Sequence, residues 1–471
     1  MQVNSLEKRN SRNLRFIFAQ ITAKAAMFAM QILGRNATYL PGRLAINMCP
    51  DFIGRIERPE TVVAVTGTNG KTTVCNMIND VLEASGIVAA NNRLGSNVDA
   101  GIASALIANS SLFGKAKKKL AILEVDERSS LKIYPYLAPD YIICTNLFRD
   151  SVKRNAHTEF ISYILTRAIP ETSTLILNGD DVVCSGIGSE KNKRIYFGLG
   201  KLPTDTEEIT AKALDIAYCP KCSAKLKYNY VHYNHIGSSY CPDCDFKSAD
   251  CDYLMTEINH ESGRIKVRQH GTVYEYKMVN DNLINISNMT AAIALLSELG
   301  EKLGLGYEQI SAAFESIKPV STRYNEAEAG GVSIVMQLSK GQNPIACSRA
   351  FSYVAEVSGE KAVLLNLDDR DESLYGSESV SWLYDTDYSY FKSDSIKKIA
   401  IGGVRRYDQL LRMLIEGVPR EKIALAEFES DTGSLINLDE IDKVCVLYDL
   451  FLIDTAEKLK QDIISRKKEG K

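Results

Sequence analysis

The chain has 471 residues, 45% of them hydrophobic and 24% charged, with a formal net charge of −3. That length provides for about two to four domains, and the near-even charge balance gives no reason to expect nucleic acid or an anionic membrane as a bulk partner. The 11 cysteines follow a charged start with no secretory signal, which points to a reducing cytoplasm and to metal or packing roles rather than disulfides.

In chain order, residues 1–50 read as a helical lead-in. Within them the stretch 16–34 is apolar but broken by Gln20, Lys24 and Gln31, too interrupted to span a bilayer with about 20 apolar residues. It predicts an amphipathic helix docked on the next domain, with peripheral contact to a membrane surface as the alternative. TVVAVT (61–66) is a short β-branched run and predicts a buried strand; a glycine-rich turn and a helix from about 72 to 85 follow. KLAILEV (119–125), DYIICT (140–145) and TLIL (174–177) predict further buried strands, and their alternation with helical segments predicts a parallel sheet covered on both faces.

The pattern breaks at a cysteine-containing insert, 217–250, and resumes with a helix-like run at 286–299. A second α/β unit begins near residue 331, with strands predicted at 332–337, 362–367, 398–401 and 443–447 and a helix at 406–416. The expected class is therefore α/β, with a lead-in (1–50), a central phosphate-loop domain (51–325) carrying the insert, and a C-terminal Rossmann-like α/β domain (326–471).

Val65-Thr-Gly-Thr-Asn-Gly-Lys-Thr-Thr73 carries the sharpest chemistry. A strand ends, the backbone turns at Gly67 and Gly70, and a helix starts, so N–H groups of Gly67, Thr68, Asn69, Gly70 and Thr73 converge on an anion at a favourable helix dipole. Lys71 is expected to reach the β- and γ-phosphates of ATP and Thr72 to place its hydroxyl on Mg²⁺. The generic pattern wants glycine where Val65 stands, so a glycine-rich turn with a stray Lys-Thr is the competing reading; the order strand, turn, helix argues against it. Glu124-Val-Asp-Glu127 follows a strand, and ligand groups in such sheets sit beyond the carboxyl ends of strands. Glu124 is thus expected to hold Mg²⁺ with Thr72, while Asp126 and Glu127 could share that role or meet a substrate amine.

Cys219-Pro-Lys-Cys222 and Cys241-Pro-Asp-Cys244 are two C-x₂-C knuckles, the spacing of a closed, structural four-thiolate Zn²⁺ site. His232 and His235, between the knuckles, are expected at the surface and not as ligands. Cys251 and the remaining cysteines, Cys49, Cys75, Cys144, Cys184, Cys347 and Cys445, are expected mostly to pack.

TGTNGKTT, LEVDE (123–127), TNLFRD (145–150) and LNGDD (177–181) together resemble the central domain of Mur ligases, and YLPGRLA (39–45), the cysteine insert, KGQNP (340–344), VSWLYDTDY (380–388) and IGGVRRYDQLLRMLIEGV (401–418) resemble its MurT-like branch. The resemblance covers residues 35–430. It implies ATP-dependent phosphorylation of the D-glutamate α-carboxylate in the stem peptide of lipid II, ammonia supplied by a GatD-type glutaminase partner, and D-isoglutamine as product. It implies a cytoplasmic location, with contact at the inner membrane face at most peripheral. By the same resemblance Asn288, in a motif with Asn285 and Thr290, and Arg323 contact nucleotide, and Asp385 acts near the glutaminase.

Three departures stand against the family pattern. RDSVKRNAHTEF (149–160) keeps Arg149 and Asp150 but has Lys153 and His157 where other groups are expected, Ser379 replaces an aspartate before Val-Ser-Trp, and the stretch 368–379 is altered and longer. The modified lysine of amino-acid-adding Mur ligases has no match, which favours the amidating branch. An amino-acid-adding ligase and a non-enzymatic nucleotide-binding scaffold are the other readings.

Overall fold

The structure is a computed structural model that describes residues 11–149, 157–209, 215–317, 324–339, 343–367 and 380–468. The chain divides into two compact units. The first takes residues up to 148 with 157–209 and 215–319; the second takes 149–156, 210–214 and 320–471.

In the first unit, helix α1 (Leu14–Ile32) starts where the Asn13 side chain accepts the N–H of Phe16, and α2 (Leu40–Met48) starts with proline in its first turn. Strand β1 (Thr61–Thr66) runs into α3 (Lys71–Ala84); β2 (Ala90–Asn91), α4 (Asp99–Ala108), β3 (Leu120–Glu124), β4 (Tyr141–Cys144), β5 (Thr174–Asn178) and β6 (Arg194–Leu199) follow. A hairpin, β7 (Lys227–Tyr233) and β8 (Ile236–Tyr240), stands apart, turning at Asn234 with φ +47°, a conformation asparagine tolerates. Then come β9 (Tyr253–Asn259), β10 (Arg264–Gln269), β11 (Thr272–Lys277) and the helix α5 (Leu283–Glu298).

One sheet runs β11-β10-β9-β6-β5-β4-β1-β3-β2, parallel from β9 to β2 and antiparallel from β9 to β11. β1 is buried at every position because the two sides of its pleat serve two cores. Val63 and Val65 pack with Val74 and Ile78 of α3 and Met289 of α5; Val62 and Ala64 pack with Phe16 of α1 and Ile102 of α4. In register, Val65 lies beside Glu124 of β3 and Ile143 of β4, so three strand ends open at one edge of the sheet.

The antiparallel β9–β11 extension departs from the sequence-based expectation of a parallel sheet alone. Its residues alternate with charges, and its tight turn at His270-Gly271 has positive φ at both positions, the hairpin geometry that closes two residues.

The second unit holds β12 (Tyr324–Ala329), β13 (Val332–Leu338), α6 (Pro344–Glu356), β14 (Lys361–Asn366), β15 (Ile396–Ile401), α7 (Arg406–Glu416), β16 (Ile423–Leu425), β17 (Lys443–Tyr448) and α8 (Ile453–Lys468). Its sheet order is β12-β13-β17-β14-β15-β16, parallel apart from β12 against β13. Again one side of the pleat, Val363 and Leu365 with Cys445 and Leu447, faces Phe351 of α6 and Met413 of α7, while Leu364 and Val446 face Leu459 and Ile463 of α8.

Candidate nucleotide-binding site

The glycine turn after β1 is shaped by contacts that only glycine permits. Gly67 has φ +123°, and a Cβ there would lie 2.3 Å from Thr145 Oγ1; Gly70 has φ +90°, and its Cβ would lie 2.3 Å from Asn288 Oδ1. The strand end of β4 then clamps the turn. Asn69 N–H donates to Asn146 Oδ1 at 3.0 Å, and Asn146 Nδ2 returns a bond to Asn69 O at 3.0 Å. Thr145 Oγ1 donates to Asn69 O at 2.6 Å, Thr68 N–H donates to Asn146 O at 2.8 Å, and Phe148 N–H donates to Thr68 Oγ1 at 2.9 Å. The loop is thus tied by its own chain into a curve, with the first-turn N–H groups of α3 at its end, which have no acceptor within a helix.

Lys71, Thr72 and Thr73 open α3. Lys71 Nζ bonds Gly67 O and pairs with Glu127 Oε1 at 2.8 Å. Burial alone would lower the ammonium pKa, but the carboxylates of Glu127, Glu124 and Asp126 outweigh it and hold Lys71 above its ordinary value. The cation is therefore charged at neutral pH and set beside the curve of the loop. Thr72 Oγ1 donates to Glu124 Oε2 at 2.7 Å, and Asn97 Nδ2 donates to Glu124 Oε1 at 3.0 Å. The backbone of Glu124 is held from both sides by Asn92, whose Oδ1 accepts Glu124 N–H and whose Nδ2 donates to Glu124 O, each at 2.9 Å. A hydroxyl and a carboxylate at a strand end form the hard oxygen donor set that suits Mg²⁺.

The three acidic residues after β3 divide. Glu124 faces Thr72; Glu127 is buried and neutralises Lys71. Asp126 Oδ1 accepts the N–H groups of Arg128 and Ser129, a local turn before the next helix. Asn288, on α5, lies against Gly70. Arg323 lies outside the described residues. Asp385 belongs to the second unit, at the end of the short helix Trp382–Asp385, and its Oδ2 accepts from Arg149 Nη1 of the same unit at 3.1 Å. Its neighbour Asp387 is used locally, accepting Ser389 N–H at 3.0 Å.

Sequence reasoning missed Asn92 and Asn97, and it read Thr145, Asn146 and Asp181 within motifs without their clamp roles. Asp181 is fully buried: its carboxylate accepts Leu147 N–H at 2.7 Å and the N–H groups of Val183 and Cys184 at 2.9 and 3.0 Å. Through Leu147 and Phe148 it braces the segment that holds the phosphate loop.

The four cysteines Cys219, Cys222, Cys241 and Cys244 bring their sulfurs within 4.8 Å of one another. The Cys219–Cys244 and Cys222–Cys241 separations are 3.7 and 3.4 Å, close to the edge of roughly 3.8 Å expected of a tetrahedron with metal–sulfur bonds of about 2.3 Å. Lys221 N–H points at Cys219 Sγ and Asp243 N–H at Cys241 Sγ, both at 3.4 Å, so each knuckle aims backbone dipoles at a thiolate. The cluster can hold a metal ion.

The histidines require a correction. His232 and His235 were expected at the surface; the side chains of both are buried in the hairpin. His232 Nδ1 lies 2.8 Å from Asp205 Oδ1; His235 Nε2 lies 3.3 Å from Asp181 Oδ1 and its ring 4.7 Å from that of Phe148. Acidic partners distant in sequence supply what a polar ring needs to be buried. Cys251 packs against Gly179 and Gly198, and Cys49, Cys75, Cys144, Cys184, Cys347 and Cys445 are buried.

Comparison with known proteins adds names to this geometry. The family model of the Mur ligase middle domain matches residues 65–232, and that of the MurT ligase C-terminal matches residues 340–449. The MurT subunit of lipid II isoglutaminyl synthase (glutamine-hydrolyzing) from Staphylococcus aureus is 29% identical over 398 residues, 84% of this chain and 87% of that protein. Its counterpart from Streptococcus pneumoniae is 29% identical over 420 residues, 87% and 89% of the two chains. Among solved structures, a pseudomurein peptide ligase type C from Methanothermus fervidus matches with a TM-score of 0.64 at 16% identity, covering 89% of this chain and 84% of that one. The MurF ligase from Thermotoga maritima in complex with ADP matches with a TM-score of 0.54 at 14% identity, covering 90% and 85%. These two share the fold.

Proposed function

Because the chain belongs to the Mur ligase family, with a middle domain of that family and a C-terminal domain of the MurT type, we propose that it amidates the D-glutamate α-carboxylate of lipid II in an ATP-dependent reaction. The observation that carries this reading is the pairing of Thr72 with Glu124 beside the tied phosphate loop and the charged Lys71. A carboxylate is a poor electrophile, so the chemistry needs a phosphoryl donor held in line. The loop N–H groups and Lys71 grip the terminal phosphates, and Asn288 sits against the turn at Gly70. Arg323 is assigned to the same nucleotide by resemblance. Mg²⁺ held by Thr72 and Glu124 would neutralise charge on the transferring phosphoryl group.

The substrate oxygen attacks the γ-phosphorus and ADP leaves; ammonia then attacks the acyl carbon of the resulting acyl phosphate, and inorganic phosphate leaves with loss of a proton. Positioning supplies the rate, since the protein forms no covalent bond. The four-cysteine cluster is assigned to Zn²⁺ as a closed structural site, with no open position for chemistry.

Ammonia comes, in this reading, from a GatD-type glutaminase subunit. The MurT relatives are named as subunits of a glutamine-hydrolysing enzyme. In the second unit α7 turns Tyr407, Leu411 and Ile415 to solvent, an apolar face of the kind a partner chain covers. Asp385, partly exposed while Asp387 is held in a turn, is the aspartate we assign to the partner's active site. The location is cytoplasmic.

The test is amidation of lipid II by the chain co-purified with a glutaminase, with glutamine, ATP and Mg²⁺ present. The expected product is the D-isoglutamine form; its absence would overturn the reading. Product formed with a free amino acid in place of ammonia would instead identify an amino-acid-adding ligase.

A further inference from the structure

Helix α1 is apolar on both sides. Its packed side, Phe16, Ala19, Gln20, Ala23 and Met27, is buried. The opposite side carries Leu14, Phe18, Ile21, Phe28 and Ile32 at helical intervals, one stripe along its whole length. Phe18 and Phe28 are 67% and 66% exposed, Leu14 and Ile32 86% and 69%, and Leu33 beyond the last turn 72%. A helix on the surface of a globular domain carries polar residues in those positions, and a continuous apolar patch marks a surface that something covers.

The charges around the stripe say what covers it. Between residues 11 and 50 the charged residues are Arg12, Arg15, Lys24, Arg35 and Arg43, with no aspartate or glutamate, in a chain whose net charge is −3. Arg12 pairs with Glu57, Lys24 bonds Ile107 O and Arg15 Nε donates to Met48 O, while Arg15, Arg35 and Arg43 are exposed. With Arg12 offset by Glu57, the remaining rim is cationic and repels a second copy of itself. It complements anionic headgroups, with phenyl rings entering the acyl boundary beneath them. No described helix is long and apolar enough to cross a membrane.

We propose that α1 seats this protein on an anionic bilayer, lying in the plane of the interface with Phe18 and Phe28 inserted. A groove of about 300 Å³ lined by Met27, Gln31, Arg35, Asn92 and Arg93 opens at the C-terminal end of the same helix, and Asn92 holds the backbone of Glu124. A peptide on a lipid tail would thus arrive at the unit that carries the phosphate loop. That last step rests on the lipid-linked substrate proposed above; the seating of α1 does not.

The test is co-sedimentation of the full chain with vesicles of phosphatidylglycerol and phosphatidylcholine, against vesicles of phosphatidylcholine alone. Binding to the anionic vesicles is expected, falling as salt rises. Phe18→Ser with Phe28→Ser should lower it at least about tenfold and leave the melting temperature in place, since both rings are exposed. Arg35→Gln with Arg43→Gln should weaken binding to anionic vesicles and leave neutral ones unaffected. Three results would overturn the proposal: no binding by the parent chain, a serine variant that binds like the parent, or a solution oligomer or glutaminase complex that the serine variant dissolves. Failed amidation with vesicle binding intact would reject the function and keep the seat.

Discussion

The phosphate loop and the four-cysteine ribbon are both short segments of the first unit, and they are held by opposite means. The loop is braced by the chain: Asn146 and Thr145 of the β4 end bind it, Asn288 and Thr145 abut its two glycines, and Lys71 is neutralised by Glu127. The ribbon has a small core, Val182, Cys219, Leu226 and Cys241, and two of those four residues are themselves metal-ligand candidates. A site built into a parallel sheet is pre-organised by the fold, whereas a ribbon with so little apolar burial would take its order from an ion bound by its four cysteines.

The largest expected effect tests the loop. Lys71→Ala should lower ATP turnover on the order of 10³-fold, the loss seen when one charge-stabilising group is removed. It also strands the buried Glu127 carboxylate, which should cost about 3 kcal/mol of stability. Adding Glu127→Gln should then restore the melting temperature and leave turnover lost. Recovery of both, or of neither, would show that the ion pair does not have two separate roles.

The next effect tests the ribbon. Cys219→Ser with Cys222→Ser should release one equivalent of zinc, measured by atomic emission, and open the segment 217–250 to protease. ATP turnover should fall by less than about tenfold, because the loop does not depend on the metal for its shape. Turnover lost in proportion to metal would break the comparison. It would show that the His235–Asp181 contact, which continues through Leu147 N–H to the clamp at Thr68, carries the ribbon's order into the loop.

What could be read from the sequence divides along the same line. β1, β3, β4 and β5 and the main strands of the second unit were legible because each is a short run buried on both faces, and so uniformly apolar. The turn chemistry of Gly67 and Gly70 and the C-x₂-C knuckles were legible because local geometry demands those residue types at those spacings. The clamps were not. Asn92 looks like an ordinary polar loop residue, and Asn146 and Asp181 stand in motifs that do not say what they bind; these roles exist only once β1, β3, β4 and β5 lie side by side. His232 and His235 were misread for the same reason, since Asp205 and Asp181, which allow their burial, are far away in sequence. The β9–β11 extension carries too many charges to register as buried strand.

The smallest expected effect lies where the hairpin joins the sheet. Asp180 accepts Leu199 N–H at 2.7 Å and its backbone carbonyl accepts Gly237 N–H of the hairpin at 2.9 Å. Burial pushes its carboxyl up from the ordinary carboxylate value to about 6. The folded state therefore binds this proton more tightly than the unfolded chain. Its contribution to stability is fully present below about pH 4 and is lost as pH rises through 6. At pH 7.5 the carboxylate is ionised in a site that disfavours it, and Asp180→Asn removes that cost while its side-chain oxygen can still accept the Leu199 N–H. The variant should be about 1–2 kcal/mol more stable than the parent at pH 7.5, the gain shrinking towards zero near pH 4, as read from denaturant midpoints. An equal loss at both pH values would mean that the carboxylate is needed for its hydrogen bonds alone, and that the join between ribbon and sheet is as fully satisfied as the phosphate loop.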